Sequence, residues 1–155
     1  MLSSLKSASL RSVGCAVALS WFGLAIPQAL AAEQRDLSVI GAWKLTSVLD
    51  SADVSGLDDE EASKLIGTVL KISKNHVRIG DHVCGSPDFA VISGDREEYI
   101  RRRAHSSAEN LGLPSPVTSI HISCAYVYKK SPDMLVLNWQ GVFFDAVRQQ
   151  AKHRN

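Results

Sequence analysis

Over residues 117–128 apolar side chains recur at every second position, and two further apolar runs, 134–139 and 142–148, follow after short turns. That pattern constrains the chain to antiparallel sheet, because a two-residue period buries one face of a strand and short links join only antiparallel neighbours. Residues 117–128 place Ile120, Ile122, Cys124, Tyr126 and Tyr128 on one side and His121, Ser123 and Ala125 on the other, which predicts one long strand. Pro132-Asp133 is a turn. Met134–Trp139 and Val142–Arg148 then form a hairpin interrupted at Gln140-Gly141.

The earlier part of the chain reads the same way. Residues 40–49 alternate after Trp43, with Trp43, Leu45 and Ser47 on one side, and predict the first strand. Residues 58–65 begin with four acids, carry Lys64 near their end and are followed by Gly67, an order that suits a helix dipole. The acidic run lacks the alternating oxygen ligands and central glycine of a calcium loop. Residues 68–72 and 76–79 predict two strands around Ser73-Lys74-Asn75, with Val77 and Ile79 inward and His76 and Arg78 outward. Cys84-Gly85-Ser86-Pro87 ends the next segment. Residues 89–92 and 97–103 are predicted strands joined by Ser93-Gly94-Asp95. Residues 104–116 are the least regular, with one short helical turn ending at Gly112-Leu113-Pro114. Seven or eight short strands and one short helix after the first of them imply a mainly β chain folded as a small antiparallel barrel.

The N-terminus has a different character. Lys6 and Arg11 precede an uncharged, mostly apolar run over residues 13–26, then Pro27 and Ala29-Leu30-Ala31. Basic, apolar and small-residue regions in that order are the secretory pattern. The run is shorter than the roughly 20 residues that span a bilayer. Residues 1–31 are therefore expected to be a cleaved signal peptide, residues 32–155 a single barrel domain, and the location periplasmic or secreted. Cys15 lies near the start of the apolar run rather than after it, so it is not placed for lipid attachment. Cys84 and Cys124 remain as an isolated pair with no Cys-x-x-Cys, and in an oxidising compartment they are expected to form a disulfide. Residues 1–31 hold two of the 17 basic residues and none of the 16 acidic ones, leaving 15 against 16 and a formal charge of −1. No basic footprint for nucleic acid remains, and no membrane insertion is expected after cleavage.

Gly41-Ala42-Trp43 at the start of the first strand, with Arg148 near the end of the last, resembles the lipocalin-like (calycin) superfamily. In that family a Gly-x-Trp opens the first strand and an arginine from the last strand packs across the indole. The resemblance implies a barrel whose first and last strands pair, with Trp43 and Arg148 as a structural couple. A guanidinium over an indole face is worth roughly 0.5–2 kcal/mol. The short length looks more like the small bacterial barrels of the group, some of which are protein inhibitors of secreted enzymes.

Candidate chemistry is sparse. His76, His82 and His121, with Asp81, lack the spacing of a zinc site and read as surface histidines. The chain contains no Gly-x-Ser-x-Gly elbow, no His-Glu-x-x-His and no glycine-rich phosphate loop. No metal, cofactor or enzymatic activity is expected. Arg101-Arg102-Arg103 reads as a charged sheet edge that resists strand-to-strand aggregation, with contact to an anionic partner as the alternative. Gly141-Val142-Phe143-Phe144 reads as core of the closing strand.

The expected function is that of an exported, non-enzymatic binding protein of the cell envelope. It would hold a small apolar molecule inside the barrel, against Leu45, Leu70, Val77, Ile120, Ile122, Leu137 and Trp139. The alternative is a protein–protein inhibitor or interaction module acting on a secreted or envelope enzyme, through residues 104–116 and the chain before Gly41. An open interior favours the first, a filled one the second.

Overall fold

Strand β1 (Gly41–Ser51) buries Trp43 and Leu45 and turns Lys44 and Thr46 to water, as its alternation requires. The computed structural model describes residues 34–150, and the expected signal peptide lies outside the described residues. Two register irregularities, between Leu45 and Ser47 and between Val48 and Asp50, bend β1. Beyond them Leu49 packs in the second of two core clusters, apart from Trp43 and Leu45.

Helix α1 (Asp59–Lys64) follows β1 where the acidic run predicted it. Asp58 caps it, its carboxylate accepting from the Glu61 amide at 2.8 Å while Glu61 accepts from the Asp58 amide at 3.0 Å. These reciprocal bonds satisfy two amides that the helix itself cannot. Asp58→Ala is expected to lower stability by about 1 kcal/mol in urea denaturation; an unchanged midpoint would show that α1 needs no cap.

Eight further strands complete the sheet: β2 (Val69–Ile72), β3 (Val77–Ile79), β4 (His82–Cys84), β5 (Val91–Gly94), β6 (Val117–His121), β7 (Tyr126–Ser131), β8 (Met134–Trp139) and β9 (Val142–Arg148). All pairings are antiparallel, in the order β4-β3-β2-β1-β9-β8-β7-β6-β5. Among the described residues the fold is thus mainly β, nine strands curled into a half-barrel with a short helix after the first. First and last strands pair in the middle of the sheet, with Trp43 opposite Arg148. Among the described residues β4 and β5 are its two edges, unpaired with each other. A disulfide between Cys84, at the end of β4, and Cys124, between β6 and β7, ties one edge to the strands beside the other.

Two expectations are corrected. Residues 97–103 are helical, not a strand: α2 (Arg96–Tyr99) continues as a π-helical turn over Ile100–Ala104. Asp95 caps α2 by accepting from the Glu98 amide at 3.1 Å. Glu97 and Glu98 sit in the first turn and the three arginines in the last, so the charge order complements the dipole. Arg101, Arg102 and Arg103 are therefore an exposed helical cluster rather than a sheet edge.

Residues 117–128 form two strands, not one. Ser123 adopts a left-handed φ of 75° and the Ile122 amide donates to Ala125 at 2.9 Å, closing a turn around the disulfide-bound Cys124. The turn breaks the expected single face. Ile120 and Ile122 stay in the main core, Tyr126 is exposed, and Tyr128 joins the second cluster.

The sheet is covered on both sides. The main cluster gathers Trp43, Leu45, Leu70, Val77, Ile120, Leu137, Phe144 and their neighbours on the inner face. On the outer face Tyr128, Val136 and Phe143 pack against Ile100, Ala104, Ala108 and Leu111, brought there by α2, the π turn and α3 (Ala108–Leu111). This is why β8 and β9 carry consecutive rather than alternating apolar residues: Leu135, Val136 and Leu137 are all buried, as are Val142, Phe143 and Phe144. Gly141-Val142-Phe143-Phe144 is core, as expected.

Candidate functional site

One end of the half-barrel is built around Trp43. The Arg148 guanidinium lies 4.0 Å from the centre of the indole. The ring nitrogen of Trp43 donates to the Val39 carbonyl at 2.8 Å. Arg148 also donates to the carbonyls of Ser38 at 2.7 Å and Ile40 at 3.3 Å. The arginine thereby ties the 3-10 turn Leu37–Val39 to β1 and β9. Gly41 permits this approach: its φ is +147°, and a Cβ there would stand 3.1 Å from Arg148 Nη1. Gly41→Ala is expected to cost about 1–2 kcal/mol of stability. A thermal scan showing no loss would remove the steric account of that glycine.

The seven side chains expected to wall a ligand space do converge, all in the main core. Leu45, Leu70, Val77, Ile120, Ile122 and Leu137 are each 0% exposed, and Trp139 is 6% exposed. Zero exposure means that no water-sized sphere fits beside those six, from outside or from within.

Open space lies elsewhere. A groove of about 560 Å³ runs along the Trp43 end, between the segment before β1 and strands β5–β8. Val39, Trp43, Val91 and Leu135 are apolar residues of its lining; Ser38, Ser93, Thr118 and Lys129 are polar ones. Its cations are already paired: Lys129 with Asp36 at 2.9 Å, Lys130 with Asp145 at 2.9 Å, and Arg148 with Asp133 at 3.6 Å. Burial alone would raise the Asp36 carboxyl, but hydrogen bonds from Ser38 and Lys129 outweigh it and hold it below its ordinary value.

A smaller cleft of about 120 Å³ opens on the outer face, lined by Ile92, Tyr99, Arg103, Tyr126, Tyr128 and Asn138. Tyr99 and Tyr128 meet edge to face with centroids 6.3 Å apart. Burial pushes the Tyr128 hydroxyl up to about 12 despite a hydrogen bond with Asn138, so it stays protonated at every physiological pH. Of these cleft residues the sequence points only to Arg103, through the alternative reading of Arg101-Arg102-Arg103 as a contact for an anionic partner, and singles out none of the rest. The signal that would have found them is Asp95 three residues before Glu98, a helix start that turns Tyr99 and Arg103 from a strand into a wall over the sheet.

The three histidines are not brought together. His76 bonds Ser73 at 3.0 Å, His82 lies tilted against Trp139 with ring centres 5.8 Å apart, and His121 pairs with Asp88 at 2.9 Å. Among the described residues no group of three or more His, Cys, Asp or Glu is arranged to hold a metal ion.

Asp88 organises the loop before β5. Its carboxylate accepts from the Ala90 amide at 3.0 Å and faces His121, and these bonds, the amide first, hold it below its ordinary value against the opposing effect of burial. Both Asp36 and Asp88 are thus more acidic folded than unfolded. Their contribution to stability is present above the unfolded value of 3.8 and is lost as pH falls through their folded values. Denaturation midpoints should fall below about pH 4, and Asp36→Asn with Asp88→Asn should flatten that acid limb. An equally steep limb in the double variant would contradict the assignment.

The disulfide is compatible with an extracellular or periplasmic protein, and among the described residues no helix is long and apolar enough to cross a membrane. Comparison of the chain with protein-family models, curated proteins and solved structures returned no match.

Proposed function

We propose that this chain is an exported, non-enzymatic binding protein of the cell envelope, a lipocalin-like barrel that engages another protein through its outer surface. The observation that carries the reading is the filled interior: six of the seven expected wall residues are 0% exposed. A small-molecule site needs roughly 300–1,000 Å³, and the protein's own side chains occupy the space beside these residues. Export is supported by the basic, apolar and small-residue order of residues 1–31 and by the Cys84–Cys124 bond. The lipocalin-like assignment is supported by the Trp43–Arg148 stack and by the pairing of first and last strands.

The groove at the Trp43 end favours a second reading, in which a small amphipathic molecule lies against Val39, Val91 and Leu135 with its polar end at Lys129. Titration with the apolar fluorophore N-phenyl-1-naphthylamine, followed by methyl NMR, separates the two. The partner reading predicts no saturable change. Shifts confined to Val39, Val91 and Leu135 would select the groove instead, and shifts at Leu45, Leu70 and Leu137 would overturn the filled interior.

A further inference from the structure

We infer that the outer cleft between α2 with its π turn and strands β5–β8 receives a carboxylate side chain from an acidic segment of a partner protein. The inference rests on the partner reading and gives it a place. Arg103 is the one cation among the residues that line the cleft, beside Ile92, Tyr99, Tyr126, Tyr128 and Asn138, and none of them carries a carboxylate. Among the described residues neither Arg101 nor Arg103 has an acid within 4.0 Å, whereas Arg102 pairs with Glu98 at 3.2 Å. The charges of the groove, by contrast, are matched internally.

Size decides the kind of occupant. About 120 Å³ is well below the roughly 300–1,000 Å³ of a drug-sized site and suits a single side chain such as a carboxyethyl group. Ile92 and Tyr126, 39% and 40% exposed, give the rim apolar surface. Tyrosine and arginine around a small pocket are the residues that dominate protein–protein contacts.

The test uses acetylated hexaglutamate amide and its hexaglutamine counterpart as probes, read by NMR on the folded protein. Expected are saturable shifts at the Asn138 side-chain amide, Arg103 Nε, Ile92 and Tyr126 with hexaglutamate only. Arg103→Gln should weaken binding about tenfold, the loss of one charge-assisted hydrogen bond, while Arg102→Gln should change it by less than about twofold. No shift at the cleft, or equal losses from Arg102→Gln and Arg103→Gln, would overturn the assignment. Failure here with a core that still refuses N-phenyl-1-naphthylamine removes only the cleft; entry of that fluorophore into the core removes the partner reading itself.

Discussion

Trp43→Ala should lower the unfolding free energy by about 3–5 kcal/mol, the range for emptying a fully buried large aromatic site. Trp43 is 1% exposed and spans three elements: its own strand, the 3-10 turn through the Val39 carbonyl, and β9 through the Arg148 stack. Domains of this kind have only about 5–15 kcal/mol in total, so the variant is expected to be marginal at 37 °C. Arg148→Ala alone should cost less, because the guanidinium is partly exposed and the carbonyls it leaves lie near solvent. The informative quantity is the coupling between the two. A four-protein urea series should give about 0.5–2 kcal/mol of non-additivity, the worth of the cation over the ring. Additivity within about 0.5 kcal/mol would mean that the two residues are neighbours without being partners.

The second large effect concerns Cys84–Cys124. The bond closes a loop with a sequence separation of 40, for which the chain-entropy account gives about 4 kcal/mol. Its position adds a structural consequence. The sheet is not closed by hydrogen bonds between β4 and β5, so the disulfide is the covalent link from edge strand β4 to the β6–β7 turn. Cys84→Ala with Cys124→Ala should therefore destabilise the protein and preferentially speed amide exchange in β3, β4 and β6. Uniform protection equal to that of the parent would show that the strands hold the open side without it.

The sequence showed most clearly what alternation and turn chemistry can encode. β1, α1, β2, β3 and the β8–β9 hairpin lie where the pattern put them: the first four each have one buried face and a recognisable cap or turn, and the hairpin has an apolar run on either side of Gln140-Gly141. Residues 97–103 were misread because a short amphipathic helix and a half-buried strand look alike over seven positions, and only the cap at Asp95 separates them. The 117–128 run was misread because the pattern of apolar residues continues through the turn at Ser123. That turn depends on a left-handed residue and on a bond from Cys124 to Cys84, 40 positions away, which no local window contains.

The candidate site was legible in part. Trp43 with Arg148, and the convergence of the seven inward residues, followed from strand pairing and alternation. Whether those seven enclose space did not follow, since alternation places side chains on a face and says nothing of how completely they fill it. The outer cleft was hidden for a related reason: it exists only because α2 and its π turn lie on Tyr128 and Phe143.

A crystal equilibrated under xenon addresses the filled interior most directly, because xenon enters apolar voids that exclude water. No xenon is expected among Leu45, Leu70, Val77, Ile120, Ile122 and Leu137, where no water-sized sphere fits. Well-occupied xenon bounded by those six side chains would contradict the filled interior and return the protein to the class of barrels that carry their ligand inside.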